Sequence, residues 1–296
     1  MVRHWLLAAR PKTLPVAIAP VLVGTTLAWA ETGRADATVM LVILLAATLI
    51  QIATNLHNDV ADHERGGDLP ETRLGPPRAT AEGWLAPGQV RAAAGLTFVA
   101  AGVLGAWLIH EGGWPIALIG CFSIVAGWAY SGGPWPISHT SFGEFFVWLF
   151  FGLIAVGGTY FLQTAALTPG AIIAGAALGM PAAAVLVVNN YRDLENDQRV
   201  GRRTFAVRFG RGASRAQYAL LMLLPFALLP LMESIRPLWW LLPVAALPYA
   251  VRLVNRFAGM PPGPAFNSLL AATARFHLVF GVLLCVAIVA ATGRWP

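Results

Sequence analysis

The stretch VMLVILLAATLIQIATNLHNDVADHERGGD, residues 39–68, decides how this chain is to be read. From Val39 to Val60 it is apolar over most of its length, enough for a helix to cross about 30 Å of hydrocarbon. It ends in Asn55, Asn58, Asp59 and Asp62, with Asp68 six residues further on. On a continuing helix Asn58 and Asp62 lie four apart and Asp59 and Asp62 three apart, so these groups share one flank. Hard oxygen ligands are thereby gathered at the rim of a membrane span.

Working outward, similar apolar windows recur along the 296 residues, of which 57% are hydrophobic and 11% charged. Ordinary soluble domains carry about 45–50% apolar and about 25% charged residues. Nine spans are expected: Leu14 to Ala30, Val39 to Val60, Val90 to Ile109, Trp114 to Tyr130, Phe145 to Leu162, Ala171 to Tyr191, Tyr218 to Met232, Leu238 to Val254, and Leu269 to Ala291. With no alternating strand pattern they are expected to cross as helices, because unpaired backbone groups are costly in lipid. The fold class is an all-α polytopic transmembrane bundle of about nine helices, one domain over residues 1–296.

The net charge of +6 does not point to nucleic acid, since the basic residues fall in short gaps between spans. Placing the N-terminus inside puts sixteen basic residues on the cytoplasmic side, against Arg34, Arg236 and Arg294 opposite. The expectation is a multi-pass protein of the cytoplasmic (inner) membrane with its C-terminus outside. Arg10, Pro11, Lys12 and Pro15 interrupt what would be a signal-peptide core, so the first span reads as retained. Cys121 and Cys285 lie in apolar spans and read as packing residues. No pattern specifies an oligomer.

Most of the chain's charge falls in two connections, 61–88 and 192–214, both opening on the cytoplasmic side and read as catalytic loops. The second begins as the first does, with Asn189, Asn190, Arg192, Asp193 and Asp197, the two aspartates again one helical turn apart. Paired carboxylates repel unless a cation joins them. Carboxylate and amide oxygens suit Mg²⁺, which bridges a few carboxylates to substrate phosphates. Candidate ligands are Asn58, Asp59, Asp62, Asp68, Asp193 and Asp197. Beside them Arg73, Arg78, Arg192, Arg202 and Arg203 offer forked contacts to phosphate or carboxylate, and Asn55 and Asn190 add polar contacts. Two such clusters would hold a diphosphate between them. A cation-coupled transporter is the reading from another class, but its acids would be expected near the bilayer midplane and not at span ends.

At these residues the chain resembles the UbiA superfamily of membrane prenyltransferases, and within it the branch that prenylates hydroxynaphthoate. The likeness runs through Arg10-Pro11-Lys12-Thr13-Leu14, Asn58-Asp59 to Asp68, and Arg73-Leu74-Gly75-Pro76-Pro77-Arg78. It continues through Tyr130 to Pro136, Gly143-Glu144, Asn190-Tyr191-Arg192-Asp193 and Gly201-Arg202-Arg203-Thr204. The resemblance implies ionisation of a polyprenyl diphosphate with Mg²⁺ and attack by 1,4-dihydroxy-2-naphthoate. Loss of CO₂ would then give demethylmenaquinone and diphosphate. It places Lys12 among the substrate contacts and Tyr130 at the reacting centre. Tyr130, Trp135 and Phe145 are candidates to shield the allylic cation, and Arg78 or Arg73 to hold the acceptor's carboxylate. A sister enzyme with another aromatic acceptor or a phytyl donor shares every one of these features.

Overall fold

The computed structural model describes residues 2–68, 71, 73–232, 235 and 237–293. Among these residues every regular element is helical. A short α1 (Val2–Ala9) leads through a 3₁₀ turn (Pro11–Thr13) into α2 (Pro15–Thr32), where Pro15 occupies the first helical position that its missing N–H suits. In α3 (Ala37–Glu64) the Asp36 carboxylate caps the start by accepting from the amides of Thr38 (2.7 Å) and Val39 (3.0 Å). After α4 (Pro87–Gly112) and α5 (Trp114–Ala129) come α6 (Gly143–Trp148) and α7 (Ala155–Thr164), joined by a π-helical segment, Leu149–Ile154, into one continuous span. Next are α8 (Pro169–Arg192), α9 (Leu194–Arg199) and α10 (Phe205–Leu228). The chain ends in α11 (Leu241–Val244), α12 (Leu247–Gly259) and α13 (Phe266–Thr292).

Eight helical stretches among the described residues are long and apolar enough to cross a membrane, and α5 is a shorter ninth. All nine expected spans therefore have a helical counterpart. Two boundaries differ in an informative way. Helix runs from Phe205, not from Tyr218, with a kink at Gly210 (φ 79°, ψ 178°), so the expected loop 192–214 is mostly helix: α9, a short link, and the first turns of α10. Arg208, Arg211 and Arg215 conceal that start from a hydropathy reading, because charge is tolerated on a helix that protrudes into water. Between Glu64 and Pro87 the described residues form no helix. Arg236 and Arg294, two of the three basic residues assigned to the outer side, lie outside the described residues.

α8 is the hub, packed against α2, α6, α7, α10 and α13. Its small residues permit this. A Cβ on Gly152 of the π segment would stand 2.5 Å from the carbonyl oxygen of Gly175, and one on Gly179 would stand 2.6 Å from that of Trp148. The two backbones touch, as small residues allow in membrane bundles where dispersion contacts and not water exclusion drive helix association. Large apolar side chains on α4 and α5, including Leu96, Val99 and Phe122, are exposed, as for lipid-facing helices. The C-terminal end of α3, the 65–86 segment and the α8–α9 junction meet at one end of this bundle.

Candidate active site

At that end lies a polar cavity of about 60 Å³. Four carboxylates line it, Asp62, Asp68, Asp193 and Asp197, and so do four guanidinium groups, Arg10, Arg73, Arg78 and Arg202. Behind this wall, nearly fully buried Arg192 donates to Asp193 (2.8 Å), Asn189 (2.6 Å) and Asn267 (2.6 Å). Charges are close to balanced, so the cavity suits an anion that arrives with its own counter-cations.

The two clusters are physically joined. Arg202 donates from one guanidinium to Asp62 of α3 and to Asp197 of α9, and Asn196 Nδ2 donates to the Gly67 carbonyl (3.0 Å). Asp68 pairs with Arg73 and, at 3.1 Å, with Arg78. Asn58 Oδ1 accepts from Arg10 and Arg78, both at 2.6 Å, while its amide donates to Ser131 Oγ (2.6 Å). Asn267 of α13 donates to the Leu74 carbonyl (2.9 Å), tying the 65–86 segment down. Burial pushes Asp68 and Asp197 up to about 7, with neighbouring Asp62 acting in the same direction and Arg73 and Arg202, respectively, opposing it. Burial disfavours the Arg202 charge, yet Asp62 and Asp197 hold its pKa above the ordinary value.

Several residues singled out in the sequence sit elsewhere. Asp59 is buried but does not line the cavity: its carboxylate accepts from the amides of Ala79 (3.1 Å) and Thr80 (2.9 Å) and from the Thr80 hydroxyl. Asn55 donates to the Ala9 carbonyl (3.0 Å) and Thr13 Oγ1 (3.3 Å), clamping the turn after α1. Lys12 and Arg203 are exposed, and Arg203 serves through its backbone, whose amide donates to the His139 carbonyl (2.8 Å). Trp135 is 86% and Phe145 51% exposed. Neither shields the site, because each falls on the outer side of its turn or helix. Asn190 lines the cavity and donates to buried Glu144 (2.9 Å).

A second, apolar cavity of about 320 Å³ opens between α2, α3, α5, α7 and α8. It shares Arg10, Tyr130, Leu186 and Asn189 with the polar one, so the two adjoin at these side chains. Phe146, Phe150 and Phe151, on α6 and the π segment, supply its aromatic faces. Arg10, Asn189 and Asn196 were not singled out from the sequence as individual contacts. Asn189 could have been found, since it lies four residues before Asp193, as Asn58 lies before Asp62.

A polar cavity of acids and arginines set directly on a greasy one suits a molecule with a charged head and a hydrocarbon tail. Residues 17–271 match the profile of the UbiA prenyltransferase family. The chain belongs to that family. It is 36% identical over 251 residues to a 1,4-dihydroxy-2-naphthoate octaprenyltransferase of Escherichia coli (strain K12), covering 82% of this chain and 81% of that protein. It is 35% identical to the protein of the same name in Mycobacterium tuberculosis, covering 84% of each. Among solved structures it is similar in fold to a UbiA homologue from Archaeoglobus fulgidus bound to GPP and Mg²⁺. That likeness has a TM-score of 0.69 and 16% identity, and covers 96% of this chain and 99% of that one.

As a UbiA-family chain it also meets the chemical test for a hard cation. Every donor on the acidic wall is a carboxylate or amide oxygen, with no sulfur among them. Among the described residues no three Asp, Glu, His or Cys side chains converge closely enough to chelate an ion unaided. The oxygen donors of that wall are of the kind Mg²⁺ takes, a few carboxylates joined to substrate phosphates.

Proposed function

We propose that this enzyme transfers a polyprenyl group from its diphosphate to 1,4-dihydroxy-2-naphthoate with loss of CO₂, the demethylmenaquinone-forming step of menaquinone biosynthesis. The observation that carries the reading is the seam between the two cavities, where Tyr130 and Asn189 border both the acid–arginine wall and the apolar chamber. A prenyl diphosphate lies across such a seam with its head among the arginines and its chain in the chamber. The relatives' name supports the acceptor.

Arg73, Arg78 and Arg202 face the diphosphate and stabilise the negative charge it gains as the allylic C1–O bond breaks. Asp62, Asp68, Asp193 and Asp197, with Asn58 and Asn190 beside them, would hold Mg²⁺, which supplies further neutralisation of the diphosphate oxygens. The bond's electron pair leaves with the diphosphate, and the allylic cation remains at the seam, shielded from water by the faces of Tyr130 and Phe146. The electron-rich naphthalene ring forms the new carbon–carbon bond, and the ring carboxylate leaves as CO₂, its bonding pair restoring aromaticity. No external oxidant or reductant takes part, and the product is the reduced, quinol form.

The chain is a multi-span membrane protein, and the basic asymmetry supports a cytoplasmic-membrane location with the polar cavity facing inward. Purified protein, given a prenyl diphosphate, 1,4-dihydroxy-2-naphthoate and Mg²⁺, is expected to yield a prenylated naphthoquinol with the mass of the carboxylate lost. Mass spectrometry of the extracted lipid reads it. Absence of that product, or product formation only with another aromatic acid, overturns the assignment.

A further inference from the structure

We propose that Arg10 is the anchor for the carboxylate of the aromatic acceptor. The inference rests on the acceptor assigned above and adds where that acid binds.

Of the residues lining the apolar cavity, Arg10 is the one with a charged side chain. A flat aromatic acid has two needs there, an apolar space for its rings and a cation for its carboxylate. In the step above the prenyl group takes the ring carbon that gives up the carboxylate. It must therefore sit close to the allylic C1 and hence at the seam of the two cavities, which Arg10 borders from both sides. The other arginines are placed differently. Arg73 is bound to Asp68 and to the Pro76 carbonyl (2.6 Å), and Arg78 to Asn58, Asp62 and Asp68. Arg73, Arg78 and Arg202 line only the polar cavity.

The backbone is bent to put Arg10 there. Its φ of 54° and ψ of 66° are left-handed, a conformation that costs a non-glycine residue on the order of 1 kcal/mol or more. Surrounding contacts enforce it. Pro11 disfavours the right-handed helical conformation for the residue before it. The Arg10 carbonyl accepts from the Thr13 amide and hydroxyl, both at 3.0 Å. Asn55 holds the flanking Ala9 carbonyl and Thr13 hydroxyl from α3. One Arg10 nitrogen is used on Asn58, and the guanidinium has further donors with which to meet a carboxylate. Because the carboxylate departs as neutral CO₂, such an ion pair strengthens acceptor binding and vanishes on product formation. Its loss falls on KM for the acid more than on kcat.

The test uses purified full-length protein in lipid nanodiscs, as wild type, Arg10→Met and Arg10→Lys. The ligands are 1,4-dihydroxy-2-naphthoate and 1,4-naphthalenediol, the same rings without the carboxylate. Arg10→Met is expected to raise KM for the acid about 10- to 100-fold with donor KM little changed, as for loss of a charged hydrogen-bond partner. Arg10→Lys should fall between, since it keeps the charge without the fork. Equilibrium binding without donor gives a readout apart from turnover: the wild type prefers the acid over the diol, and Arg10→Met removes the preference. A wild-type measurement keeps the proposal open to refutation if the variants do not fold. The preference must persist in EDTA without diphosphate, because a residue and not a metal ion recognises the carboxylate. A preference that needs Mg²⁺, an unchanged preference in Arg10→Met, or a rise in donor KM alone overturns the proposal and leaves the acceptor assignment standing. Failure of the wild type to prenylate the acid overturns both.

Discussion

Asp62 and Asp197 share one guanidinium: Arg202 donates to Oδ1 of each. The first carboxylate ends α3 and the second lies in α9, so a single side chain sets the spacing of the two acidic walls. Both acids are almost fully buried. A buried charge that loses its partner is strongly destabilising, and this arrangement gives both carboxylates one cationic partner and aims them at one small volume.

Asp62→Asn and Asp197→Asn are therefore expected to lower the rate by a factor on the order of 10²–10³, about 3–4 kcal/mol of transition-state stabilisation. Each keeps the side-chain shape and removes a charge from the wall. Initial rates of product formation, beside thermal melting in detergent, check it. Near-normal turnover in folded variants would make both acids ordinary rim charges.

Asp59 is expected to behave differently. Its carboxylate holds the Ala79 and Thr80 amides, so Asp59→Ala leaves buried donors without partners at about 1–3 kcal/mol each. The loss should appear as a lower melting temperature and faster proteolysis within residues 65–86, with activity tracking the folded fraction. An Asp59→Asn protein that melts like wild type yet is inactive would instead put this carboxylate in the chemistry.

Arg78→Lys should raise KM for the prenyl diphosphate and leave that for the aromatic acid nearly unchanged. The planar fork bridges Asn58, Asp62 and Asp68, and a lysine cannot span them. Varying each substrate in turn measures this, and a selective rise for the acid would move the acceptor's anchor from Arg10 to Arg78.

Metal affinity should depend on pH in the neutral range. Asp68 and Asp197 lose their protons only near 7, and a carboxyl must be deprotonated to bind Mg²⁺. The Mg²⁺ concentration for half-maximal turnover should then rise as pH falls below about 7. In metal-free protein the folded state holds these protons more tightly than the unfolded chain, where an aspartic acid titrates near 3.8. Protons thus favour folding, and melting temperature should fall as pH rises between about 4 and 7. A flat Mg²⁺ requirement from about pH 6 to 8 would contradict the shifts.

Topology is open to direct labelling. Cysteines replacing Glu82 and Gln198, both exposed, should react from the cytoplasmic side, and one replacing exposed Leu167 from the other, in a Cys121→Ser background. Labelling of Glu82 and Gln198 positions from opposite sides would separate the clusters that Arg202 joins.

The spans were legible because twenty apolar residues admit few alternatives in lipid, and the two acidic clusters because their spacing follows one helical turn. What the sequence concealed was direction. Asp59 and Asp62 stand three apart and look equivalent, but only the amides of Ala79 and Thr80, brought back by a twenty-residue excursion, turn one of them away from the cavity. Lys12 and Arg10 are two residues apart in one motif. A left-handed twist at Arg10 sends that side chain inward and leaves Lys12 in water. Helix α10 was hidden at its start because its arginines interrupt the apolar pattern and because the backbone breaks at Gly210, with φ 79° and ψ 178°.

The tie through Asn267 bears on how the enzyme is made. Asn267 accepts from Arg192 of the second cluster and holds Leu74 of the segment that carries Asp68, Arg73 and Arg78. It belongs to α13, the final helix to leave the ribosome among those described. A nascent chain therefore displays both acidic clusters before it possesses the clasp that draws them fully together. The apolar chamber likewise receives its Leu270 contact only when this helix arrives.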